Sequence, residues 1–397
     1  MKDIVIIANF CRDFSINDNG RFMYLCKELS KEHNVEIITS DFSHGEKIHK
    51  KKLEIEWPFK ITFLHEPGYP KNVCLRRFYS HMAWGRNVQK YLKGRKKPDI
   101  IYCAVPSLTG TLAAAKYCQR NRVKFIIDVQ DLWPEAFKMV FRVPIVSDIL
   151  FAPFNWLANG TYKRADEIFA VSDTYVNRVL SVNKKCKIGH TVYLGTRLET
   201  FDEGAKGEPL FKKPDGEIWI GYCGSLAISY DIPNLIYAIK ELNDKGIGNI
   251  RLIVMGDGAH RHQYEEVAEK EGINSVFTGR LQYDSMCAQL KECDIVVNPI
   301  KKGSAASIIN KHGDYAASGL PVLNSQDSPE YRKLVESYCM GLDCKNEDAH
   351  DMADKLEQLI LDEVMRLKMG NNARRCAEER FDRKNSYREI IDVILKG

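Results

Sequence analysis

Residues 295–322 join an apolar run, a small-residue loop and a helical pattern, and this succession constrains the fold more than any other segment. The apolar run predicts a strand. A helix is predicted to begin at Ser307, whose hydroxyl suits an N-cap, and to end at Gly319 and Pro321 before a new strand begins. A strand, a helix and a second strand in this order are typical of a parallel sheet with crossover helices.

The start of this helix is a candidate anion site. Free backbone N–H groups and the positive end of the helix dipole favour a phosphate there, and Lys301, Lys302 and Lys311 add positive charge. Asp314 lies two turns beyond Ser307, where its carboxylate can accept hydrogen bonds from two hydroxyls, as a ribose offers. The alternative is an ordinary strand–helix unit with a capped helix and solvated lysines.

Residues 310–322 read N-K-H-G-D-Y-A-A-S-G-L-P-V. This segment resembles the signature N-K-x-x-[DE]-Y-x-A-x-G-x-P-V of the family 4 retaining glycosyltransferases of the GT-B fold, in the branch that builds bacterial surface polysaccharides. The resemblance implies that Asp314 holds the nucleotide ribose and that Ser307, Asn310 and Lys311 lie at the donor site. Many relatives have a glutamate that contacts the donor sugar where this chain has Ala306.

Four other short motifs precede this signature in the order that the same family shows. They are G-S-L at 224–226, G-D-G at 256–258, F-T-G-R at 277–280 and D-I-V-V-N-P at 294–299. Glycine lets the backbone approach a base or a diphosphate closely. The resemblance implies that Gly224 and Gly256 lie near the donor phosphates, and that Gly279 and Arg280 lie against the base.

Two positions depart from the family pattern. Many relatives read G-R-L-x-x-x-K-G, in which the arginine and the lysine neutralise the leaving diphosphate, whereas this chain has Ser225 and Tyr230 there. If the chain is an active transferase, the charge must come from other cations. The candidates nearest in sequence are Lys301, Lys302, Lys311 and Arg280, of which Lys302 is predicted to act in catalysis.

The chain opens with a second strand–helix–strand pattern. A strand over 4–8 is followed by a polar loop, by a helix that begins at Gly20, and by a strand over 35–39. The loop lacks G-x-G-x-x-G, so a dinucleotide site has little support here. The resemblance makes Gly20 and Arg21 candidates for contact with the donor phosphate or the acceptor, and a turn glycine with a surface arginine is the alternative.

A further candidate site follows the strand predicted over 125–129. Ligands of open parallel sheets bind outside the carboxyl ends of the strands, and this strand ends at Gln130 and the sequence D-L-W-P-E. That sequence resembles a segment of the polysaccharide branch, although many family 4 members have histidine in place of Gln130. Asp131 and Glu135 are candidates for orienting an acceptor hydroxyl, and helix-start carboxylates are the alternative.

Length and composition set the domain organisation. A chain of 397 residues suits two domains, and 44% apolar with 28% charged residues is typical of a soluble globular protein. We expect an α/β protein with two Rossmann-like, doubly wound parallel-sheet domains that face a cleft. The predicted domains are 1–200 for the acceptor and 217–380 for the nucleotide sugar, joined by a linker over 201–216, and 381–397 is expected to form a helix that returns to the first domain.

The N-terminus shows no cleavable signal pattern, and no apolar run is long enough to span a bilayer. The 12 cysteines have no C-x-x-C spacing, which favours buried thiols in a cytoplasmic protein over disulfides or zinc. No metal motif is present, and dipoles and lysines can hold a donor diphosphate, so no metal or cofactor is expected.

Positive charge is concentrated in the first half of the chain. Residues 1–200 hold 32 Lys and Arg against 20 Asp and Glu, and the bias is strongest over 71–124. No nucleic-acid motif accompanies it, so we expect peripheral contact with an anionic membrane, with a solvated basic surface as the alternative. The apolar segment 141–157 is a second candidate for an interfacial contact, although a helix packed on the sheet is favoured.

These patterns lead to one functional expectation and two alternatives. The expectation is a retaining glycosyltransferase that moves a hexosyl or N-acetylhexosaminyl group from a nucleotide diphosphate donor, a UDP-sugar, to a lipid-diphosphate-linked saccharide. Its setting would be capsule, O-antigen or exopolysaccharide synthesis at the inner face of the cytoplasmic membrane. The alternatives are a nucleotide-sugar epimerase of the same fold, and a non-catalytic nucleotide-sugar-binding partner in an assembly complex.

Overall fold

The chain folds into two compact units. In the computed structural model the described residues are 1–11, 14, 20–50, 55–72, 74–135, 144–304 and 308–396, with 144–149 described by their backbone alone. The first unit comprises Met1–Val192 and Tyr387–Gly397, and the second comprises Tyr193–Ser386. Each unit is built around its own parallel sheet, as the sequence predicts.

The first sheet has seven parallel strands in the order β3-β2-β1-β4-β5-β6-β7. The strands are β1 Asp3–Ile7, β2 Asn34–Ser40, β3 Lys60–Leu64, β4 Ile100–Val105, β5 Lys124–Val129, β6 Glu167–Ala170 and β7 His190–Thr191. All six residues of β4 are buried. Apolar runs without alternation are expected where helices cover both faces of a parallel sheet.

Within the described part of the chain, six helices of the first unit accompany this sheet. They are Arg21–Ser30, Leu75–Gly94, Leu108–Asn121, Pro144–Tyr162, Asp173–Leu180 and Arg388–Leu395. The last of them returns from the end of the chain, as expected. It buries Ile390 and Ile394, one helical turn apart. Its closing carbonyls accept hydrogen bonds of 2.6 Å from Lys2 to Leu395 and of 2.8 Å from Lys124 to Val393.

The second sheet has six parallel strands in the order β10-β9-β8-β11-β12-β13. The strands are β8 Ile218–Cys223, β9 Ile250–Met255, β10 Ser275–Gly279, β11 Ile295–Asn298, β12 Val322–Asn324 and β13 Gly341–Asp343. From β8 the chain adds strands on one side of the sheet and then, from β11, on the other side. The strand order therefore reverses between β8 and β11.

The helical segments of the second unit lie before, between and after these strands. They are Leu198–Ala205, Ile232–Asp244, Arg261–Lys270, Tyr283–Lys291, Lys311–Ser318, Pro329–Tyr338, Ala349–Leu361, Glu363–Cys376, the π-helical turn Ala377–Phe381 and Arg383–Ser386.

The boundary between the units differs from the predicted one. The predicted linker 201–216 lies inside the second unit, which begins at Tyr193. Its first residues belong to the helix Leu198–Ala205, where Leu198 and Phe201 are buried against the core of that unit. The residues that follow are rich in Gly, Pro and charge, so the apolar positions of this short helix were not recognised in the sequence.

The helix of the signature segment begins later than predicted. It spans Lys311–Ser318 with Asn310 as the preceding residue, and Ser307 lies outside the described residues. Before the helix, Ile308 is buried and the Ile309 N–H donates a 3.3 Å hydrogen bond to Nδ1 of His312. Asp314 therefore lies in the first turn of the helix rather than two turns along it.

Candidate functional site

The carboxyl edge of the second sheet gathers most of the residues singled out in the second half of the sequence. The loops after β8 and β11 leave the sheet where its strand order reverses. In open α/β sheets, ligands bind in the crevice at such a switch point. The two loops also pair with each other, because the Lys301 N–H donates a 3.0 Å hydrogen bond to the carbonyl of Ser229 and Tyr230 forms a bridge with Ile300.

Three of the predicted glycines meet at this edge. Gly224 follows β8 with a φ of 146°, and Gly256 and Gly279 form an isolated bridge. A Cβ added to Gly256 would lie 1.7 Å from the carbonyl oxygen of Gly224, so a side chain cannot fit between the two backbones. Because of this close approach, the backbones of Gly224 and Gly256 contact each other at the switch point with no side chain between them.

The polar residues flanking these glycines differ in exposure. Ser225, Arg280 and Lys302 are exposed, and Lys301 is half-buried. The carbonyl of Ser225 accepts a 2.7 Å hydrogen bond from the Tyr222 hydroxyl, which fixes the turn after β8. These side chains lie on loops at the carboxyl edge, where they are accessible to a ligand.

Lys311 is the buried cation of this site. Its side chain extends between the rings of Tyr222 and Tyr230, with Nζ 4.1 Å and 4.0 Å from the two ring centroids. Nζ has no hydrogen-bond partner among the described residues. Burial lowers the pKa of Lys311 to about 7. Asn310, which precedes it, makes no side-chain cap to the helix.

Asp314 takes part in a hydrogen-bond chain. The Tyr283 hydroxyl donates a 2.8 Å hydrogen bond to Asp314 Oδ1, and Thr196 Oγ1 lies 2.9 Å from the same hydroxyl. Burial raises the pKa of the Asp314 carboxyl, although hydrogen bonds from Tyr283 and Thr196 oppose that shift.

Residues not predicted from the sequence hold this edge in place. The Tyr315 hydroxyl accepts a 2.8 Å hydrogen bond from the Cys223 N–H and donates a 3.1 Å hydrogen bond to the Val297 carbonyl, so it joins the ends of β8 and β11. Below it, His312 stacks on Tyr331 with centroids 3.5 Å apart. Tyr315 belongs to the signature pattern, but its two partners are set by tertiary structure.

Two of the site residues predicted in the first unit, Arg21 and Gln130, are joined through Asp128 at the end of β5. Gln130 donates a 3.0 Å hydrogen bond to Asp128, and Asp128 pairs with Arg21 at 3.3 Å. Arg21 is 4% exposed, donates to the carbonyl of Val192 and lies over the ring of Tyr387. The alternative of a surface arginine is therefore wrong, because Asp128 and Tyr387 enclose Arg21, whereas its contact with a donor phosphate or an acceptor stays a prediction.

The two carboxylates of D-L-W-P-E are engaged within the unit. Asp131 accepts hydrogen bonds from the Leu132 N–H at 2.9 Å and from the Trp133 indole at 3.0 Å, and burial raises its pKa. Glu135 forms a 2.5 Å ion pair with Arg178. Gly20 precedes the helix Arg21–Ser30 in extended conformation without a side-chain cap. These residues lie at loops of one unit and do not form a single contact network.

A buried polar cluster beside these loops was not predicted. Glu66 accepts hydrogen bonds of 2.9 Å from both Asn9 and Ser80, and Arg77 donates a 3.3 Å hydrogen bond to His81. Burial, with the nearby Arg77 charge, lowers the pKa of His81 to about 3. The members are scattered through the first 81 residues, so no local pattern could have identified them.

Two groups of side chains among the described residues have metal-ligand chemistry. They are Asp41 with His49 and His65, and Glu241 with His350 and Asp354. None of the predicted site residues belongs to either group. None of the described helices combines the length and the apolar character needed to cross a bilayer.

Two family models match the sequence, one over most of each unit. The Glycosyltransferase Family 4 model matches residues 21–197, and the Glycosyl transferases group 1 model matches residues 209–376. Together with the two parallel sheets, they define a glycosyltransferase of the GT-B fold. The chain belongs to the family 4-like glycosyltransferases of that fold, which confirms the resemblance drawn from residues 310–322.

Individual relatives are distant. An uncharacterised glycosyltransferase of Methanocaldococcus jannaschii is 23% identical over 234 residues, which span 59% of each chain. EpsD of Bacillus subtilis, a proposed glycosyltransferase, is 22% identical over 85% of this chain and 84% of its own. The structure of Anabaena HepE in complex with UDP has a TM-score of 0.72 at 14% identity, with complete coverage of both chains.

Proposed function

We propose that this chain transfers a sugar from a UDP-sugar to a lipid-diphosphate-linked saccharide, with retention of the anomeric configuration, during synthesis of a surface polysaccharide. The second unit would bind the donor and the first unit the acceptor. HepE was solved with UDP, which supports a uridine nucleotide here. EpsD and a structurally similar glycosyltransferase of lipopolysaccharide biosynthesis, WaaG, support a polysaccharide product.

One observation carries the donor site, namely the contact between Gly224 and Gly256 at the switch point. The two backbones approach so closely that no side chain fits between them. Without side chains between them, a diphosphate could approach the backbone of the loop after β8 closely. Asp314, one helical turn into Lys311–Ser318, would accept hydrogen bonds from the ribose hydroxyls, and Arg280 would lie beside the base.

Catalysis would depend mainly on stabilising the leaving group. As the bond between the anomeric carbon and the phosphate oxygen breaks, its electron pair moves to the nucleoside diphosphate, and preorganised cations and N–H dipoles stabilise that charge. Lys302, exposed on the loop after β11, is the proposed catalytic cation beside Lys301. We propose a metal-independent reaction, so turnover should persist in a chelator.

For the acceptor, Asp131 remains the first candidate of the first unit. The Trp133 indole donates a hydrogen bond to Asp131 and fixes its carboxyl group near the carboxyl end of β5. Burial raises the pKa of this carboxyl group. Gln130, which pairs with Asp128, would fix the same loop. Glu135 is engaged with Arg178, so it would act through loop position rather than by contact.

Contact with the inner face of the cytoplasmic membrane is proposed from the first unit. A groove of about 290 Å³ there is lined by Lys93, Arg95, Lys97, Lys116 and Arg120, with no carboxylate among its described lining residues. Trp156 is 66% exposed, and the Lys116 ammonium lies 5.8 Å from the centroid of its ring. Cations beside an exposed tryptophan suit an anionic bilayer surface.

The donor proposal is tested by calorimetric titration of UDP, GDP and ADP into the wild-type chain and into Asp314→Ala. UDP should bind selectively, and loss of the ribose hydrogen bonds should weaken it by about 1–3 kcal/mol. Asp244→Ala, which removes an exposed carboxylate from the helix Ile232–Asp244, is the matched control. Equal binding by Asp314→Ala and the wild type would contradict the ribose assignment.

Turnover separates the transferase from its alternatives. Incubation with UDP-sugars and a panel of lipid-diphosphate-linked acceptors should release UDP only when an acceptor is present. Release of a free epimer without acceptor would identify an epimerase. Donor binding without turnover would favour a non-catalytic partner, a reading motivated by Ser225 and Tyr230 at the places of the family arginine and lysine.

A further inference from the structure

The Lys311 ammonium is buried, and its N–H donors form no hydrogen bond with the described residues. The side chain is 8% exposed, and Nζ lies about 4 Å from the centroids of both tyrosine rings. Two aromatic faces attract a cation. They do not replace the three hydrogen bonds that an ammonium can donate, and Nζ has no such bond among the described residues. Because an unpaired buried ammonium is costly, an anion beside Nζ is needed to keep this group charged.

The position of Nζ indicates where that anion would lie. A Cβ built on Gly224 would be 3.1 Å from Lys311 Nζ, so the ammonium lies directly beside the turn after β8. This is the turn at the point of strand-order reversal, and its backbone is pressed against Gly256. A ligand seated against this turn would therefore lie close to the ammonium.

The neighbouring groups do not supply the missing charge. From β8, the thiol of Cys223 has a pKa raised to about 12 by burial, and the phenol of Tyr222 also has a raised pKa. From the loop, burial raises the pKa of Tyr230. From the helix of Lys311 itself, His312 has a lowered pKa, and Asp314 accepts its hydrogen bond from Tyr283. Asp314 is the carboxyl group in this set, and burial raises its pKa.

We propose that Lys311 Nζ binds the diphosphate of the donor and stabilises the nucleoside diphosphate as it leaves, and that Tyr230 and Tyr222 hold this ammonium in place. The inference rests on the proposed function of the second unit as a nucleotide-sugar site. It assigns to a helix residue the charge that the loop, with Ser225 and Tyr230, does not provide.

A proton accompanies the ligand in this arrangement. Because burial lowers the pKa of Lys311 to about 7, much of the free protein carries a neutral amine at pH 8. Two phosphates beside Nζ favour its charged form, so binding draws a proton from the solvent onto the amine. The proton returns to the solvent when the nucleoside diphosphate departs, and no covalent bond to Lys311 is formed.

The test is calorimetric titration of UDP at pH 8.0 in two buffers that differ in ionisation enthalpy. At this pH the terminal phosphate of UDP is already ionised, since its pKa is about 6. The wild type should take up close to one proton per UDP. Lys311→Met should bind about tenfold more weakly or worse and take up none. Lys270→Met, at an exposed lysine that ends the helix Arg261–Lys270, should retain both the affinity and the proton uptake.

A second variant separates charge from packing. Lys311→Arg keeps a cation that does not deprotonate, so UDP should still bind while the proton uptake disappears. In Lys311→Met, the further substitution Tyr230→Lys places an ammonium beside the same turn and should restore part of the affinity.

The outcomes distinguish the inference from the function on which it rests. UDP binding without proton uptake, and with unchanged affinity in Lys311→Met, would overturn the role of Lys311 and leave the donor site standing. Absence of UDP binding to the wild type would overturn both. Normal proton uptake in Lys311→Arg would also overturn the inference, because the proton would then be taken up elsewhere.

Discussion

Tyr283 donates a 2.8 Å hydrogen bond to Asp314 and brings the helix Tyr283–Lys291 against the first turn of Lys311–Ser318. This bond does more than position the carboxylate. It opposes the rise in the pKa of Asp314 that burial causes, and so keeps the group ionised to lower pH. A ribose would need that ionised acceptor.

Tyr283→Phe should therefore change the pH dependence of nucleotide binding. Without the hydroxyl the pKa of Asp314 rises further, so UDP affinity should be lost at a higher pH than in the wild type, and the difference should be larger at pH 5.5 than at pH 8. Calorimetry across this range measures it. Tyr237→Phe, on an exposed tyrosine of the same unit, is the control. Parallel pH profiles for Tyr283→Phe and wild type would contradict the coupling.

Gly256→Ala should damage both stability and nucleotide binding. The new Cβ would lie 1.7 Å from the Gly224 carbonyl oxygen, so the backbone must move. We expect a loss of about 1–3 kcal/mol in the free energy of unfolding, measured by urea denaturation, and loss of UDP binding. Gly248→Ala, where no atom lies within 4 Å of the added Cβ, should leave both unchanged. Tight UDP binding by Gly256→Ala would show that this contact does not form the site.

Replacing Lys311 should raise stability at neutral pH. Its folded-state pKa of about 7 is below the ordinary value of 10.5, so between these pH values the unfolded chain binds a proton that the folded chain lacks. Stability of the wild type from this group therefore rises with pH from 7 towards 10.5. Lys311→Met should have the higher Tm at pH 7, and the gap should narrow by pH 10. A Tm difference that is constant with pH would contradict the buried state of the amine.

Arg21 should be important for folding, because it is paired inside the first unit. Removing one partner of a buried ion pair typically costs about 3–5 kcal/mol. Arg21→Met should lower the free energy of unfolding of the first unit by this order, measured by urea denaturation with a probe in each unit. Arg76→Met, an exposed arginine of the same unit, should have little effect. Unchanged stability in Arg21→Met would contradict a stabilising role for the buried ion pair and would leave ligand contact as the remaining candidate role of Arg21.

The basic groove should decide vesicle binding. The combined substitutions Lys93→Glu, Lys97→Glu and Arg120→Glu reverse exposed charges at its rim and should weaken co-sedimentation with anionic vesicles, more so at low salt. Arg77 is unsuitable for this test because it is 7% exposed. The control reverses Lys270, Lys333 and Lys368, which are exposed in the second unit. Equal loss in both sets would indicate a net-charge effect without a docking surface.

The repeated order of strands, turns and helices was predictable, because apolar period and turn glycines are local properties of the sequence. Gly224, Gly256 and Gly279 were identified correctly as turn positions for the same reason. The burial of Arg21 was not predicted, since it depends on Asp128, a carboxylate more than a hundred residues away, and on Tyr387 near the end of the chain. The start of the Lys311–Ser318 helix was also misplaced, because a hydrogen bond to His312 shapes the backbone before it.

The return of the last helix to the first unit has a consequence for how the protein is made. The strands of the first sheet leave the ribosome early, but the cluster that Tyr387, Ile390 and Ile394 complete cannot close until the final residues emerge. The second unit is continuous in sequence, so it can reach its native state while the hydrophobic core of the first unit is still incomplete. Truncation before Tyr387 should therefore expose apolar surface in the first unit and leave the second unit folded.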